Sequence, residues 1–416
     1  MKTSTCLSLL FGILTVCLSA SAQTVTEIQR VDDGRRWLES KSGPPSDASA
    51  IVRAAAANAR NHTDTENRLL AIIRSQPSSD AARDAHELLS RFYTRTGQYR
   101  RLLENLDLWA RTFPNDSHVA KESAAIAQFR GLPNQINGPL HKSRLRHGPG
   151  KDFAIPISIN GMPANYLADT GAWLSVMTEA EAKRLNLTIS ATTAVLSESS
   201  GKGVKIRTAI AKNLVVGSNV FHDVSFAILP EVEPWSSMPA GRGGIIGVPI
   251  LLHLGCIRWM KGGTWDIGCS AQTGSRIPNM TFYKNRLLLT SHGNDQRVFL
   301  TLDTGAETTD LNSNFAEQFA GQIKQFGVKD TTSVSGVGGT AVLESVSLPV
   351  DLQIGNTLTK LRPAHVTMQV NPAMGGDCCV GNIGLDLLTQ TGGLTIDFTR
   401  MTLHLRPQAV RRGTGK

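Results

Sequence analysis

The sequence predicts a mainly β protein built from two homologous β lobes, with an α-helical region in front of them. Three observations predict it. Tyr166-Leu167-Ala168-Asp169-Thr170-Gly171-Ala172 and Phe299-Leu300-Thr301-Leu302-Asp303-Thr304-Gly305-Ala306 are apolar runs that each end in Asp-Thr-Gly-Ala. The same later landmarks follow both copies in the same order. Hydrophobic spacing also changes from helical to alternating near residue 150. One Asp-Thr-Gly alone reads as a strand running into a turn. The matched context sets the pair apart from coincidence.

A chain of 416 residues has room for two or three domains. Its first 22 residues read as an export signal: Lys2 supplies the charge, Cys6 to Leu18 an apolar core too short to span a bilayer, and Ala20-Ser21-Ala22 a cleavage site before Gln23. The expected product is a secreted or periplasmic protein without a membrane anchor. With 43 Lys and Arg against 34 Asp and Glu, the net charge is +9. Much of the excess lies in His141 to Lys151 and from Arg406 onward. These stretches read as solvated linker and tail, because neither carries interleaved aromatics or a nucleic-acid motif; no nucleic-acid partner is expected.

Residues 23–140 are rich in Ala, Leu and Arg at helical spacing and are assigned to a helical domain. The clearest unit runs from Asp80 through Leu88, Leu89, Tyr93, Gly97, Tyr99, Leu102 and Leu106 to Pro114. This helix-turn-helix spacing is similar to one tetratricopeptide repeat. A plain helical cap on the next domain is the alternative.

Residues 151–275 form the first expected lobe, 276–407 the second and 408–416 a basic tail. Phe153, Ile155, Ile157 and Ile159 alternate as in a half-buried strand, and Asn160-Gly161 is a strong hairpin turn leading back to Asp169. Thr178 with Glu181, and Asn314 with Glu317, read as helix-opening capping boxes. Ser-Gly-x-Gly then recurs at Ser200 to Gly203 and Ser335 to Gly338, at nearly equal offsets from the aspartates (200−169 = 31 and 335−303 = 32). Val215-Val216-Gly217 is matched by Gln353-Ile354-Gly355. Last, Gly244-Ile245-Ile246-Gly247 is matched by Gly381-Asn382-Ile383-Gly384.

These motifs resemble the pepsin and retropepsin superfamily of aspartic peptidases, over roughly Lys151 to Pro407. The resemblance implies two retropepsin-like β lobes forming one bilobal aspartic peptidase, each lobe giving one Asp-Thr-Gly turn and one later apolar-apolar-Gly run. A monomer with an intramolecular pair, Asp169 and Asp303, is then expected. It would act on a peptide or protein substrate without cofactor or metal. Glycines 171 and 305 would let backbone approach the carboxylates, and Thr170 and Thr304 would tie the two loops together. The Ser-Gly-x-Gly turns (Ser200, Gly201, Gly203; Ser335, Gly336, Gly338) fall at the family's flap, although the pepsin-like flap tyrosine is missing. Asn382 departs from the apolar pattern. Ala172 and Ala306 stand where many relatives have a hydroxyl donor, which predicts a raised dyad pKa.

The chemistry suits the pair. Metal-free peptide hydrolysis needs a base for water and an acid for the carbonyl oxygen, and two adjacent carboxylates sharing one proton supply both. No Gly-x-Ser-x-Gly elbow, His-Glu-x-x-His or phosphate loop is present. Two other uses of the same chain are a catalytically silent peptide-binding cleft and a helical partner-binding scaffold.

Without the signal, four cysteines remain, with three possible pairings. Cys256 with Cys269 is favoured, because Lys261-Gly262-Gly263 between them reads as a hairpin turn; buried free thiols are the alternative. Cys378-Cys379 lacks partners at zinc-ligand spacing.

Overall fold

The computed structural model describes residues 44, 48–126, 129–147, 153–191, 193–197, 203–231, 235–269, 277–293, 295–336, 339–368 and 378–406. The expected signal segment, residues 1–22, and the basic tail, 408–416, lie outside them.

Helices come first: α1 (Ala50–Ala59), α2 (Thr65–Ser75), α3 (Asp80–Arg95), α4 (Tyr99–Thr112) and α5 (Ser117–Ile126). Ser49 and Ser79 cap α1 and α3 by accepting the amides of Val52 and Ala82. Gly97, at φ 70°, makes the turn between α3 and α4. Leu88, Leu89 and Tyr93 of α3 and Leu102, Leu106 and Trp109 of α4 are buried, as their spacing requires.

The next strands are β1 (Ile136–Asn137), β2 (Ser143–Arg146), β3 (Ala154–Ile159), β4 (Met162–Ala168) and β5 (Ser175–Thr178). Helix α6 (Glu179–Arg184) precedes β6 (Ala194–Ser197), β7 (Gly203–Val216), β8 (Asn219–Leu229) and β9 (Gly244–Ile246), and α7 (Val248–His253) closes the lobe. Asn160 and Gly161 both have positive φ, 49° and 85°, so the β3–β4 turn has the backbone twist a two-residue hairpin needs. Pairing runs β3, β4, β9, β5, β8, β7 and back to β3, a closed six-stranded ring.

After β10 (Cys256–Met260) and β11 (Thr264–Ile267) come β12 (Met280–Tyr283), β13 (Arg286–Gly293), β14 (Gln296–Leu302) and β15 (Asp310–Leu311). Helices α8 (Ser313–Gln318) and α9 (Ala320–Phe326) lead to β16 (Val328–Gly336), β17 (Gly339–Ile354), β18 (Thr357–Thr367) and β19 (Gly381–Ile383). Here the ring is β13, β14, β19, β15, β18, β17 and back to β13. It repeats the first ring strand for strand, including the parallel pairs β4/β9 with β14/β19 and β5/β8 with β15/β18.

Helix α10 (Leu385–Leu388), β20 (Gly393–Asp397) and β21 (Thr402–Arg406) end the described chain. A five-stranded sheet in the order β2, β11, β10, β20, β21 joins the lobes, with β10 and β20 antiparallel across the junction. Trp259 and Trp265 are fully buried on it, with Phe153 edge-on to Trp265 at 4.6 Å. Cys256 and Cys269 are disulfide-bonded around the β10–β11 hairpin.

Three details differ from the sequence expectation. Strand β1 lies inside the segment assigned to the helical domain. The basic linker is partly strand, because β2 pairs with β11, and its Arg144 forms an ion pair with Asp266 while staying exposed to solvent. Helix α8 is capped by Asn312, not Asn314: the Asn312 side chain accepts the Asn314 amide at 3.0 Å. Cys378 and Cys379, the two left once Cys256 joins Cys269, are bonded to each other and buried beside Leu288 and Phe299.

The helices do not hang from a tether. Their hydrophobic cluster continues into lobe one through Leu174, Val176, Val204, Ile206 and Ile245. Phe129 stacks on Tyr99 at 5.1 Å and meets Trp173 edge-on at 5.3 Å. Toward lobe two, Thr281 donates to the Ala59 carbonyl at 3.0 Å and the Arg95 guanidinium lies over Phe282 at 4.6 Å. Because Phe129 is 1% exposed at this junction, Phe129→Ala should cost about 3–5 kcal/mol and lower one shared calorimetric transition. A separate early transition for the helices would contradict the shared core.

Candidate active site

Each aspartate sits where a strand of its ring ends in a turn, Asp169 after β4 and Asp303 after β14. Bonds of the same kind hold both. The amides of Asp169 and Asp303 donate to the carbonyls of Ile246 (2.9 Å) and Ile383 (3.1 Å). The Ala172 and Ala306 carbonyls accept from Val248 and Leu385, at 2.7 and 2.9 Å. The hydroxyls of Ser175 and Thr309 accept the amides of Gly247 and Gly384, at 3.1 and 3.0 Å. The run after each ring's parallel crossing thus backs its aspartate loop.

The two loops meet through their threonines. Thr170 donates its hydroxyl to the Leu302 carbonyl at 2.7 Å, and Thr304 donates to the Ala168 carbonyl at 2.6 Å. Each hydroxyl also accepts the opposite threonine's amide, at 3.0 and 3.1 Å. Both threonines are buried, so these bonds are shielded from competing water.

Above them the carboxylates face one another. A Cβ on Gly171 would lie 2.7 Å from the Asp303 Cγ, and one on Gly305 would lie 2.4 Å from the Asp169 Cγ. Only glycine lets each turn approach the opposite carboxylate this closely. Gly171 N–H donates to Asp169 Oδ1 at 2.7 Å. Asp303 Oδ1 accepts from Gly305 and Ala306, at 2.9 and 3.1 Å, and its Oδ2 accepts from Asn382 Nδ2 at 3.0 Å.

Burial raises the Asp169 pKa well above the ordinary carboxylate value; the Asp303 charge and a hydrogen bond with Asp303 raise it further, while the amides of Gly171 and Ala172 oppose the shift. The main cause is therefore desolvation rather than the missing hydroxyl donor at 172. At 306 the backbone amide itself supplies a donor.

Of the other candidate positions, Gly203 opens β7 opposite Ser197, and Ser335 and Gly336 close β16 opposite Thr340 and Gly339, so both motifs belong to hairpins. Ser200, Gly201 and Gly338 lie outside the described residues.

Two polar groups here, Thr301 and Asp310, escaped the sequence reading, and a third, Asn382, was read only as a departure from the apolar pattern. Asp310 on β15 is 6% exposed, and its pKa is pushed up to about 7 by burial and then by the charges of Asp386 and Asp303. A comparison of equal offsets would have found it, since Val176 holds the matching place in lobe one.

Residues 155–250 match the profile of a family described as aspartyl protease. Similar solved structures include the EIAV protease complexed with the inhibitor HBY-793, at 27% identity over 25% of this chain and 86% of that one, with a TM-score of 0.19. They also include a retropepsin-like aspartic protease from Rickettsia conorii, at 15% identity over 32% of this chain and 92% of that one, with a TM-score of 0.23. No curated protein matches the sequence. The first lobe has an aspartyl-protease-like fold.

Two outcomes test this geometry. Gly305→Ala should destabilise the protein by about 1–3 kcal/mol in urea melts through overpacking; an unchanged midpoint would mean the turns are not in contact with the carboxylates. For Asp310, the raised folded pKa gives stability that is complete below the unfolded value, near 3.8, and lost as pH rises through about 7. Asp310→Asn should therefore nearly match the wild type at pH 4 and exceed it at pH 8 by on the order of 4 kcal/mol. Parallel stability curves would contradict the shift.

Proposed function

We propose that the protein is an aspartic endopeptidase in which Asp169 and Asp303 activate one water between them. The observation that carries this is the crossed threonine arrangement, which holds the two carboxylates together with a raised proton affinity at Asp169. A pair in that position shares one proton. The ionised carboxylate takes a proton from the water as its oxygen attacks the peptide carbonyl carbon. The neutral carboxylic acid gives its proton to the carbonyl oxygen, forming a tetrahedral diol. The carboxyl that took the water's proton passes it to the amide nitrogen, and the C–N bond breaks. A diol hydroxyl gives its proton to the pair as the product carboxyl forms, which restores the single shared proton.

The family match over residues 155–250 favours the same chemistry for lobe one. The recurring motifs and repeated strand order favour a homologous second lobe that completes the site within one chain. The substrate is a peptide or protein segment lying across the junction between the two aspartate turns. Export with removal of residues 1–22 fits the N-terminal pattern, and two disulfides fit an oxidising compartment. Among the described residues no helix is long and apolar enough to cross a membrane.

Asp169→Asn and Asp303→Asn, tested on a peptide library at mildly acidic pH, should each lower turnover by about 10³-fold or more. Both variants should stay folded and still bind peptide. Retained turnover in either variant would refute the proposal.

A further inference from the structure

At matched places beside the two aspartates the lobes differ in kind. Lobe one has Leu167, Val176 and Ile245, brought together as register partners on β4, β5 and β9. Lobe two has Thr301, Asp310 and Asn382, brought together the same way on β14, β15 and β19. The first set packs into the hydrophobic cluster shared with the helices. The second set is polar, yet only 8%, 6% and 8% exposed. Burying polar groups is costly unless they are hydrogen-bonded, so their arrangement needs a reason.

Asn382 supplies one. Its Oδ1 accepts the Thr301 hydroxyl, and its Nδ2 points at Asp303 Oδ2 from 3.0 Å. With its Oδ1 taken up by the Thr301 hydroxyl, the amide presents its NH₂ to the carboxylate, and an amide NH₂ can only donate. Asp303 thus receives three N–H donors, from Gly305, Ala306 and Asn382, while Asp169 is reached by the amides of Gly171 and Ala172. Donors of this kind favour the charged form of the group they reach.

We propose that Asn382, oriented by Thr301, is a positioning residue that places the dyad's single negative charge on Asp303 and leaves the shared proton on Asp169. The roles then follow: Asp303 begins the cycle as the base and Asp169 as the acid. The ionisable groups around Asp303 are Asp169 across the junction and Asp310 on β15, with Asp386 at the start of α10 acting on Asp310. Asp310, with its pKa pushed up to about 7, is neutral at mildly acidic pH and does not compete with Asp303 for the charge.

This assignment rests on the peptidase reading for its catalytic meaning, but its test does not need turnover. Asn382→Ile gives lobe two the residue found at the matching place in lobe one. The dyad's first ionisation, followed by aspartate carboxyl ¹³C signals, should move up by about one pH unit, the effect of one lost donor to a charged group. The acid limb of kcat/KM should move with it. If Asn382→Ile fails to fold, Thr301→Val should move the same ionisation upward by a smaller amount.

An unmoved first ionisation in a folded variant overturns the inference, even if the wild type cleaves peptides. A moved ionisation in a protein that cleaves nothing supports the placement of charge and removes the peptidase reading instead.

Discussion

Everything in the site depends on the crossed pair of threonines. Thr170 and Thr304 each reach over the junction, donating to the carbonyl that precedes the other lobe's aspartate and accepting the other threonine's amide. Four buried hydrogen bonds thereby set the separation of the two turns. The carboxylates cannot drift apart without breaking them, and the glycines at 171 and 305 allow the close approach. Desolvation then acts on a pair already held together, and this is what raises the proton affinity of Asp169.

The two rings are alike in strand order but not in surroundings. Lobe one packs Leu167, Val176 and Ile245 into the cluster that it shares with the helices. The helical region is therefore a wall of the molecule next to Asp169, and Trp173, two residues past Gly171, is part of the contact. At the matched places lobe two keeps Thr301, Asp310 and Asn382. A near-symmetric frame thus gives its two aspartates different surroundings, and the proposed division into one acid and one base rests on that difference.

Much of this was legible in the sequence because it rests on local signals. Asn160-Gly161 specifies a hairpin by its positive φ angles, and Lys261-Gly262-Gly263 places Cys256 beside Cys269. The duplicated Asp-Thr-Gly-Ala pointed to the pair because its spacing to later landmarks repeats. What was not legible depends on tertiary neighbours. Asn382 looked like a flaw in an apolar pattern, since its partners Thr301 and Asp303 stand about 80 residues earlier in the chain. Asp310 had no local signal at all. The strand at Ser143–Arg146 hid among basic residues, because its partner β11 and the Asp266 carboxylate come from far along the chain.

The central claim is that Asp169 and Asp303 act as one group on one oxygen atom. A crystal structure with a statine-type transition-state mimic tests it most directly. The account predicts the mimic's hydroxyl between the two carboxylates, within about 2.5–3.0 Å of an oxygen of each. A mimic bound away from the pair, or aspartates too far apart to share its hydroxyl, would contradict it.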